Sequence, residues 1–152
     1  MHIVLIEPEI PNNTGNISRT CAVTGSSLHL VRPLGFSTDD KYLKRAGLDY
    51  WRYLDLHYYD NFAELQAKYP QGRFFLTETK GQKYYTDINF QPDDFLVFGK
   101  ETAGLPKELL DQYSEQCIRI PMLPDIRSLN LATSVAIVLF EALRQQGFTD
   151  MI

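Results

Sequence analysis

Short runs of consecutive apolar residues alternate along the chain with polar segments that are broken by proline or glycine. Continuous apolar runs are typical of strands buried on both faces of a parallel sheet. One such run opens the chain at His2–Ile6 and ends before Pro8. Further strands are predicted at residues 28–31, 51–59, 73–77, 94–98 and 117–120.

Helical spacing of apolar positions appears between these strands. Residues 12–16 form a cluster of turn and capping residues, and the helix predicted after them covers residues 17–24 and closes at Gly25. Other helices are predicted at residues 41–48, from a cap at Asn61 to Tyr69, and from Pro106 onward. Because strands and helices alternate throughout, the pattern predicts one α/β domain over residues 1–152, with a mainly parallel sheet flanked by helices.

The last predicted helix is apolar around most of its circumference. It begins near Asn130, with Ser128 or Asn130 as the N-cap. A surface helix of a monomer needs only one apolar stripe, so we expect this helix to be buried on two sides, by its own sheet and by a second copy of the chain. One stripe contains Leu131, Val135, Val138, Leu139 and Ala142, and Ala136, Ile137, Phe140 and Leu143 fill much of the remaining surface.

Composition excludes several classes of protein. No segment approaches the roughly 18 consecutive apolar residues of a membrane span, and no secretory signal is visible, so we expect a cytoplasmic protein. The net charge of −4 argues against nonspecific coating of nucleic acid, although a local basic patch is compatible with it. Cys21 and Cys117 are expected to be reduced and packed, and the three histidines lack the spacing of metal ligands.

Common nucleotide-binding motifs are absent. The chain has no G-x-G-x-x-G turn, and the segment from residue 94 to Glu101 lacks the first glycine and the final Ser or Thr of a P-loop. Four polar loops remain, each at the carboxyl end of a predicted strand, where open α/β sheets bind their ligands. They are residues 11–16, 77–81, 99–106 and 121–128.

These loops together resemble a known family. The segments EPEIPNNTGNISRTCAVTG, FGKETAGLP and IRIPMLPDIRSLNLATSVAIVLFEALRQ are similar, in order and spacing, to the motif blocks of the SPOUT methyltransferases. The similarity is greatest to the small bacterial tRNA 2′-O-methyltransferases that modify wobble position 34 of leucine tRNAs. It implies S-adenosylmethionine as the methyl donor with no metal, a homodimer formed through the C-terminal helix, and a C-terminal deep trefoil knot.

The resemblance also implies a set of site residues. Lys100 and Glu78 depart from the usual Pro and Thr of the family and add charge beside the expected cofactor pocket. Arg19 is expected to hold a phosphate and stabilise the developing alkoxide, because a guanidinium is a poor base. The catalytic set is Arg19, Asn16, Glu101, Ser128 and Asn130; the cofactor set is Thr77, Gly99, Glu101, Gly104, Ile120, Met122, Ser128 and Leu129; the RNA set, contacting the tRNA anticodon stem-loop, is Lys41, Lys44, Arg45 and Arg127.

Four alternatives remain open from the sequence. The chain could be a cofactor-binding dimer that recognises RNA without methylating it, or a methyltransferase of another tRNA or rRNA position. Glu101 could be a carboxylate at the positive end of a helix dipole. The basic segment from Lys41 to Arg45 could be a solvated face.

Overall fold

The computed structural model describes residues 1–37, 41 and 50–152, and the described strands form one parallel sheet. The sheet has seven strands in the order β3-β2-β1-β6-β4-β7-β5, and every neighbouring pair is parallel. This confirms the predicted fold class. The strands are β1 (His2–Ile6), β2 (Ser27–Val31), β3 (Leu56–Tyr59), β4 (Phe74–Thr77), β5 (Lys83–Tyr84), β6 (Phe95–Phe98) and β7 (Cys117–Arg119).

Helices cover both faces of the sheet. Those described are α1 (Pro11–Thr24), α2 (Phe62–Lys68), α3 (Lys107–Gln112) and α4 (Leu131–Gln145). Side chains alternate between two cores, because successive residues of a strand point to opposite faces. Ile3 and Leu5 pack with Ile17 of α1 and Val138 of α4, whereas Val4 and Ile6 pack in the core that contains α2 and α3.

Helix α1 begins earlier than predicted. The structure starts it at Pro11, so residues 12–16 form its first turns and are not a cap in front of it. Pro11 occupies the first helical position, where its missing N–H would have no partner in the helix. The predicted end is confirmed, since Gly25 is the C-cap with a left-handed φ of 64°.

Two other predictions were wrong in detail. The strand predicted over residues 51–59 divides into a 3-10 turn at Trp51–Tyr53 and the shorter β3. Strand β5 escaped prediction because it has only two residues, both exposed, and therefore shows no apolar run. The helix predicted over residues 41–48 lies outside the described residues, apart from Lys41.

Asn130 is the N-cap of α4, which decides between the two predicted caps. Its side-chain Oδ1 accepts hydrogen bonds from the N–H groups of Ala132 (2.9 Å) and Thr133 (3.3 Å). The sheet-facing side of α4 is buried as predicted, whereas Phe140 on the opposite side is 44% exposed. Burial of that side by a second copy, like the trefoil knot, stays a prediction.

Both cysteines are free and buried, as expected. Burial raises the pKa of the Cys21 thiol to about 12, so this side chain is packed and unreactive. Among the described helices, none is long and apolar enough to cross a membrane. The residues that the structure describes contain no group of His, Cys, Asp or Glu side chains that could hold a metal ion.

Candidate active site

A cavity of about 660 Å³ opens at the carboxyl edge of the sheet. Its walls come from the segments that follow four strands: residues 10–13 after β1, 77–79 at the end of β4, 98–104 after β6 and 120–134 after β7. Chain connections run in opposite directions from the neighbouring strands β1 and β6. The cavity therefore lies at the topological switch point, where open α/β sheets bind ligands.

The structure brings the whole predicted cofactor set into this cavity. All eight residues line it: Thr77, Gly99, Glu101, Gly104, Ile120, Met122, Ser128 and Leu129. Asn130 and Arg127 line it as well.

Asn16 and Arg19 do not line the cavity. Both are exposed on α1, and the Nη2 of Arg19 donates a hydrogen bond of 3.1 Å to the hydroxyl of Tyr50. The guanidinium carbon also lies 4.7 Å from the centre of the Tyr50 ring. Among described residues, no side-chain hydrogen bond joins Asn16 to Arg19, so Tyr50 holds the guanidinium in this structure.

The loop after β6 is folded tightly because it carries two essential glycines. Gly104 N–H donates to the Lys100 carbonyl at 2.9 Å, and Gly104 has a left-handed φ of 68°. A Cβ at Gly99 would lie 2.1 Å from the carbonyl carbon of Gly104, so no other residue fits there. The close approach of Gly99 to Gly104 fixes the backbone of this loop at one wall of the cavity, which the side chains of Lys100, Glu101 and Thr102 also line.

Thr77 offers an unsatisfied polar atom at the same wall. Its Oγ1 is buried and has no hydrogen-bond partner. A buried hydroxyl without a partner is costly, so a ligand atom that completes its hydrogen bonding would bind favourably. A hydroxyl without a partner fits a ligand with hydrogen-bonding edges, such as an adenine ring or a ribose.

The Glu101 carboxylate lies at the start of α1 and binds the residues that lead into that helix. Its carboxylate accepts hydrogen bonds from the N–H groups of Glu9 (2.8 Å) and Ile10 (3.2 Å) and from Asn13 Nδ2 (3.1 Å). Ile10, the N-cap, has no capping side chain of its own, so Glu101 supplies the negative charge that a helix N-terminus favours. The sequence left open that Glu101 is a carboxylate at the positive end of a helix dipole. In the structure the helix concerned is α1.

Asn13 is a site residue that the sequence reasoning missed. Its Oδ1 accepts a 3.0 Å hydrogen bond from Asn130 Nδ2, while its own Nδ2 donates to Glu101. We call the connected side chains of Glu101, Asn13 and Asn130 the carboxamide relay. The Asn pair at residues 12–13 was the available signal, but its assignment to a cap before the helix concealed it.

The two charged departures are both neutralised or hydrogen-bonded. Lys100 Nζ lies 2.7 Å from Glu7 Oε2, and this hydrogen bond raises the pKa of Lys100. Glu78 Oε1 accepts hydrogen bonds from the Thr79 hydroxyl (2.9 Å) and from the N–H of Lys80 (3.3 Å). The pocket thus gains no unpaired charge from Lys100.

Of the predicted RNA-binding residues, Lys44 and Arg45 lie outside the described residues, and Lys41 is exposed. Arg127 borders the cavity and forms no side-chain hydrogen bond or ion pair in the described part of the chain. Its guanidinium is therefore available to a ligand.

Comparison with known proteins gives the same picture. A tRNA (cytidine(34)-2'-O)-methyltransferase from Escherichia coli (strain K12) is 51% identical over 154 residues, covering 100% of this chain and 98% of that protein. A solved structure from work on the 2-OH methylation of C/U34 on tRNA superposes with a TM-score of 0.91 at 45% identity, covering 96% of this chain and 95% of that chain. An AdoMet-bound rRNA methyltransferase from Sinorhizobium meliloti superposes with a TM-score of 0.82 at 27% identity, covering 94% and 55% of the two chains.

A model of the SpoU rRNA Methylase family matches residues 1–140, which include all the loops around the cavity. The chain belongs to the SpoU rRNA Methylase family.

Proposed function

We propose that this protein transfers a methyl group from S-adenosylmethionine to the ribose 2′-hydroxyl of the wobble nucleotide, position 34, of tRNA. The observation that carries the proposal is full-length similarity, at 51% identity, to an enzyme with this activity. The Sinorhizobium rRNA enzyme is 27% identical to this chain, against 51% for the tRNA enzyme, which favours tRNA over rRNA as the substrate. Leucine tRNAs and recognition through the anticodon stem-loop are the finer parts of the proposal, and tRNA as a substrate implies a cytoplasmic location.

The cavity is the proposed cofactor site. When bound, S-adenosylmethionine supplies an activated methyl group on a sulfonium. Thr77 Oγ1 would bind the adenosine part, because its hydroxyl has no partner, together with backbone groups of the loop from Gly99 to Gly104, which lines the cavity beside it. Ser128 and Leu129, from the loop before α4, would close the opposite wall.

Arg19 is the proposed catalytic cation. Methyl transfer requires the 2′-hydroxyl to lose its proton to solvent water as the new O–C bond forms, and a nearby fixed positive charge stabilises the oxygen at that moment. Arg19 lies six residues after Asn13 on α1, about 9 Å farther along the helix axis. From there it would contact the RNA that extends out of the cavity, and Asn16 lies one turn before it.

The proposed homodimer would form through α1 and α4, which pack against each other and both expose apolar side chains. Val23 on α1 is 57% exposed and Phe140 on α4 is 44% exposed. A second copy would cover them.

In the decisive experiment, the purified protein is incubated with S-adenosylmethionine and tRNA that lacks modification at position 34. The 2′-O-methyl groups of the tRNA are then mapped. We expect one methyl group, on the ribose of nucleotide 34. Arg19→Ala should abolish methylation, by at least about 100-fold, because it removes the charge that stabilises the developing alkoxide. Cofactor affinity should remain, since Arg19 does not line the cavity.

Arg52→Ala is the matched control, because Arg52 is also exposed and stacks on a tyrosine, Tyr53, at 4.7 Å. It should methylate at the wild-type rate. Methylation by Arg19→Ala near that rate would contradict the role of Arg19. Absence of methylation by the wild-type protein, with the cofactor bound, would favour the non-catalytic alternative.

A further inference from the structure

A second cavity, of about 370 Å³, adjoins the first one. The two share Thr79, Ile120, Met122 and Arg127 in their walls. Lys80, Tyr84 and Arg119 line only the second cavity, together with residues 121 and 123–126 of the loop after β7, among which Asp125 is the one carboxylate. The second cavity is thus the immediate neighbour of the proposed cofactor site.

The second cavity collects cations that have no carboxylate partner. Elsewhere, Arg32, Arg73, Lys83, Lys100, Lys107 and Arg144 each form an ion pair with an acidic residue. Lys80 and Arg127 have no side-chain partner in the part of the chain that the structure describes. The chain carries 19 acidic and 15 basic residues, so a shortage of carboxylates does not explain these unpaired cations.

Arg119, the third cation of the second cavity, is held in place by Tyr84. Its guanidinium lies 4.7 Å from the centre of the Tyr84 ring, and its Nη2 donates a 3.3 Å hydrogen bond to the Tyr84 hydroxyl. Its Nε is buried and has no hydrogen-bond partner. An oriented guanidinium with an unused buried donor suits an oxyanion, because arginine binds phosphate oxygens through several N–H groups at once.

We propose that the second cavity binds a phosphodiester group of the RNA beside the nucleotide that is methylated. Lys80, Arg119 and Arg127 contact the phosphate oxygens, and Tyr84 positions Arg119. This proposal rests on the proposed function, since it assigns a place for the RNA next to the methyl-transfer site. Binding to phosphates fixes the register of the RNA and carries no base specificity.

The test measures the affinity of an RNA hairpin with the anticodon stem and loop, over a series of salt concentrations. Each lost phosphate contact should lower the slope of log K against log salt by about 0.7, which corresponds to about 5-fold in affinity at 0.1 M salt. Lys80→Gln should therefore weaken binding about 5-fold, and Lys80→Gln with Arg127→Gln about 25-fold, with slopes lower by about 0.7 and 1.4. Lys80→Gln should leave the affinity for S-adenosylmethionine unchanged, because Lys80 does not line the first cavity.

Lys107→Gln is the control, because Lys107 is exposed, pairs with Asp111 at 2.8 Å and lines neither cavity. It should keep the wild-type affinity and slope. If the double variant also keeps them while the wild-type protein methylates position 34, this inference is overturned and the proposed function stands. If the wild-type protein binds the hairpin through Lys80 and Arg127 without methylating it, the result supports the phosphodiester site in the second cavity and contradicts the proposed function.

Inorganic phosphate, titrated alone at the same ionic strength, distinguishes RNA from a free phosphate compound. We expect no saturable binding, because one small anion does not gain from the rest of the RNA contact. Saturable binding of inorganic phosphate that disappears in the double variant would assign the cavity to a free ligand and overturn the proposal.

Discussion

At the scale of single residues, the three histidines form a row across β1, β2 and β3. His2 Nδ1 and His29 Nε2 are 3.0 Å apart, and His29 Nδ1 lies 3.1 Å from the Tyr59 hydroxyl. The His57 ring stacks on His29 at 4.9 Å and contacts Asp55 Oδ1 through Nε2 at 2.9 Å. His29 is fully buried, and desolvation lowers its pKa to about 3.

This depressed pKa predicts a loss of stability in mild acid. The unfolded chain takes up a proton on His29 near pH 6.5, whereas the folded protein resists it until about pH 3. The free energy of unfolding is therefore unaffected by His29 above pH 6.5. Below that pH it falls by up to about 1.4 kcal/mol per pH unit. Between pH 6.5 and about 5.5 ordinary carboxyl groups stay ionised. In this window the lowered pKa values of His2 and His29 therefore decide the sign of the slope of the free energy of unfolding against pH.

The measurement is the free energy of unfolding by denaturant at several pH values. His29→Gln should reduce the slope between pH 6.5 and 5.5 by about 1 kcal/mol per pH unit, because the titrating ring is gone. A slope identical to that of the wild-type protein would show that His29 is not the responsible group. Lys68 and the N-terminal amine also act on this cluster and are unchanged in the variant.

At the scale of elements, the carboxamide relay joins three segments that are distant in sequence. Asn13 is 88 residues from Glu101 and 117 residues from Asn130, and its side chain bonds to both. The relay therefore fixes the starts of α1 and α4 relative to the loop after β6. These same segments form three walls of the first cavity.

Asn13→Ala should destabilise the protein by about 1–3 kcal/mol, because it removes two hydrogen bonds of a buried side chain, one to Asn130 and one to the charged Glu101 carboxylate. The substitution should also lower the affinity for S-adenosylmethionine, since the hydrogen bonds that join three walls of the cavity are lost. Asn12→Ala is the control: Asn12 is exposed on the same turn and should change stability by less than about 0.5 kcal/mol. Denaturant unfolding and calorimetric titration of the cofactor measure both effects, and equal behaviour of the two variants would contradict the role of the relay.

The same elements explain how far the sequence could predict the structure. The central strands were predictable because a strand buried on both faces needs a continuous apolar run, as in His2–Ile6. The start of α1 was not, because the N-cap Ile10 has no capping side chain and the carboxylate at this helix start comes from the distant Glu101, a contact that no local pattern contains. For the same reason Asn13 was missed. Arg19 was found only through a family resemblance, since nothing in its local sequence marks it as catalytic.

At the scale of the whole molecule, α4 connects the cavity to the proposed dimer surface. Leu131 and Ser134 at its start line the cavity, and Asn130 caps it. Phe140, two turns later, is exposed on the side away from the sheet. A rigid helix that serves both places should couple cofactor binding to dimerisation.

The coupling can be tested with Phe140→Asp. Phe140 is 44% exposed in the single chain, so this change should leave the fold intact while placing a carboxylate in the proposed interface. An unpaired buried charge costs about 3 kcal/mol or more, so the dimer should weaken at least about 100-fold, as measured by sedimentation equilibrium. The affinity for S-adenosylmethionine should fall with it, and Ile137→Asp should act in the same direction. Arg144→Gln, an exposed change on the same helix, should alter neither quantity. A monomeric Phe140→Asp variant with wild-type cofactor affinity would show that the cavity and the dimer surface are independent, even though one helix contributes to both.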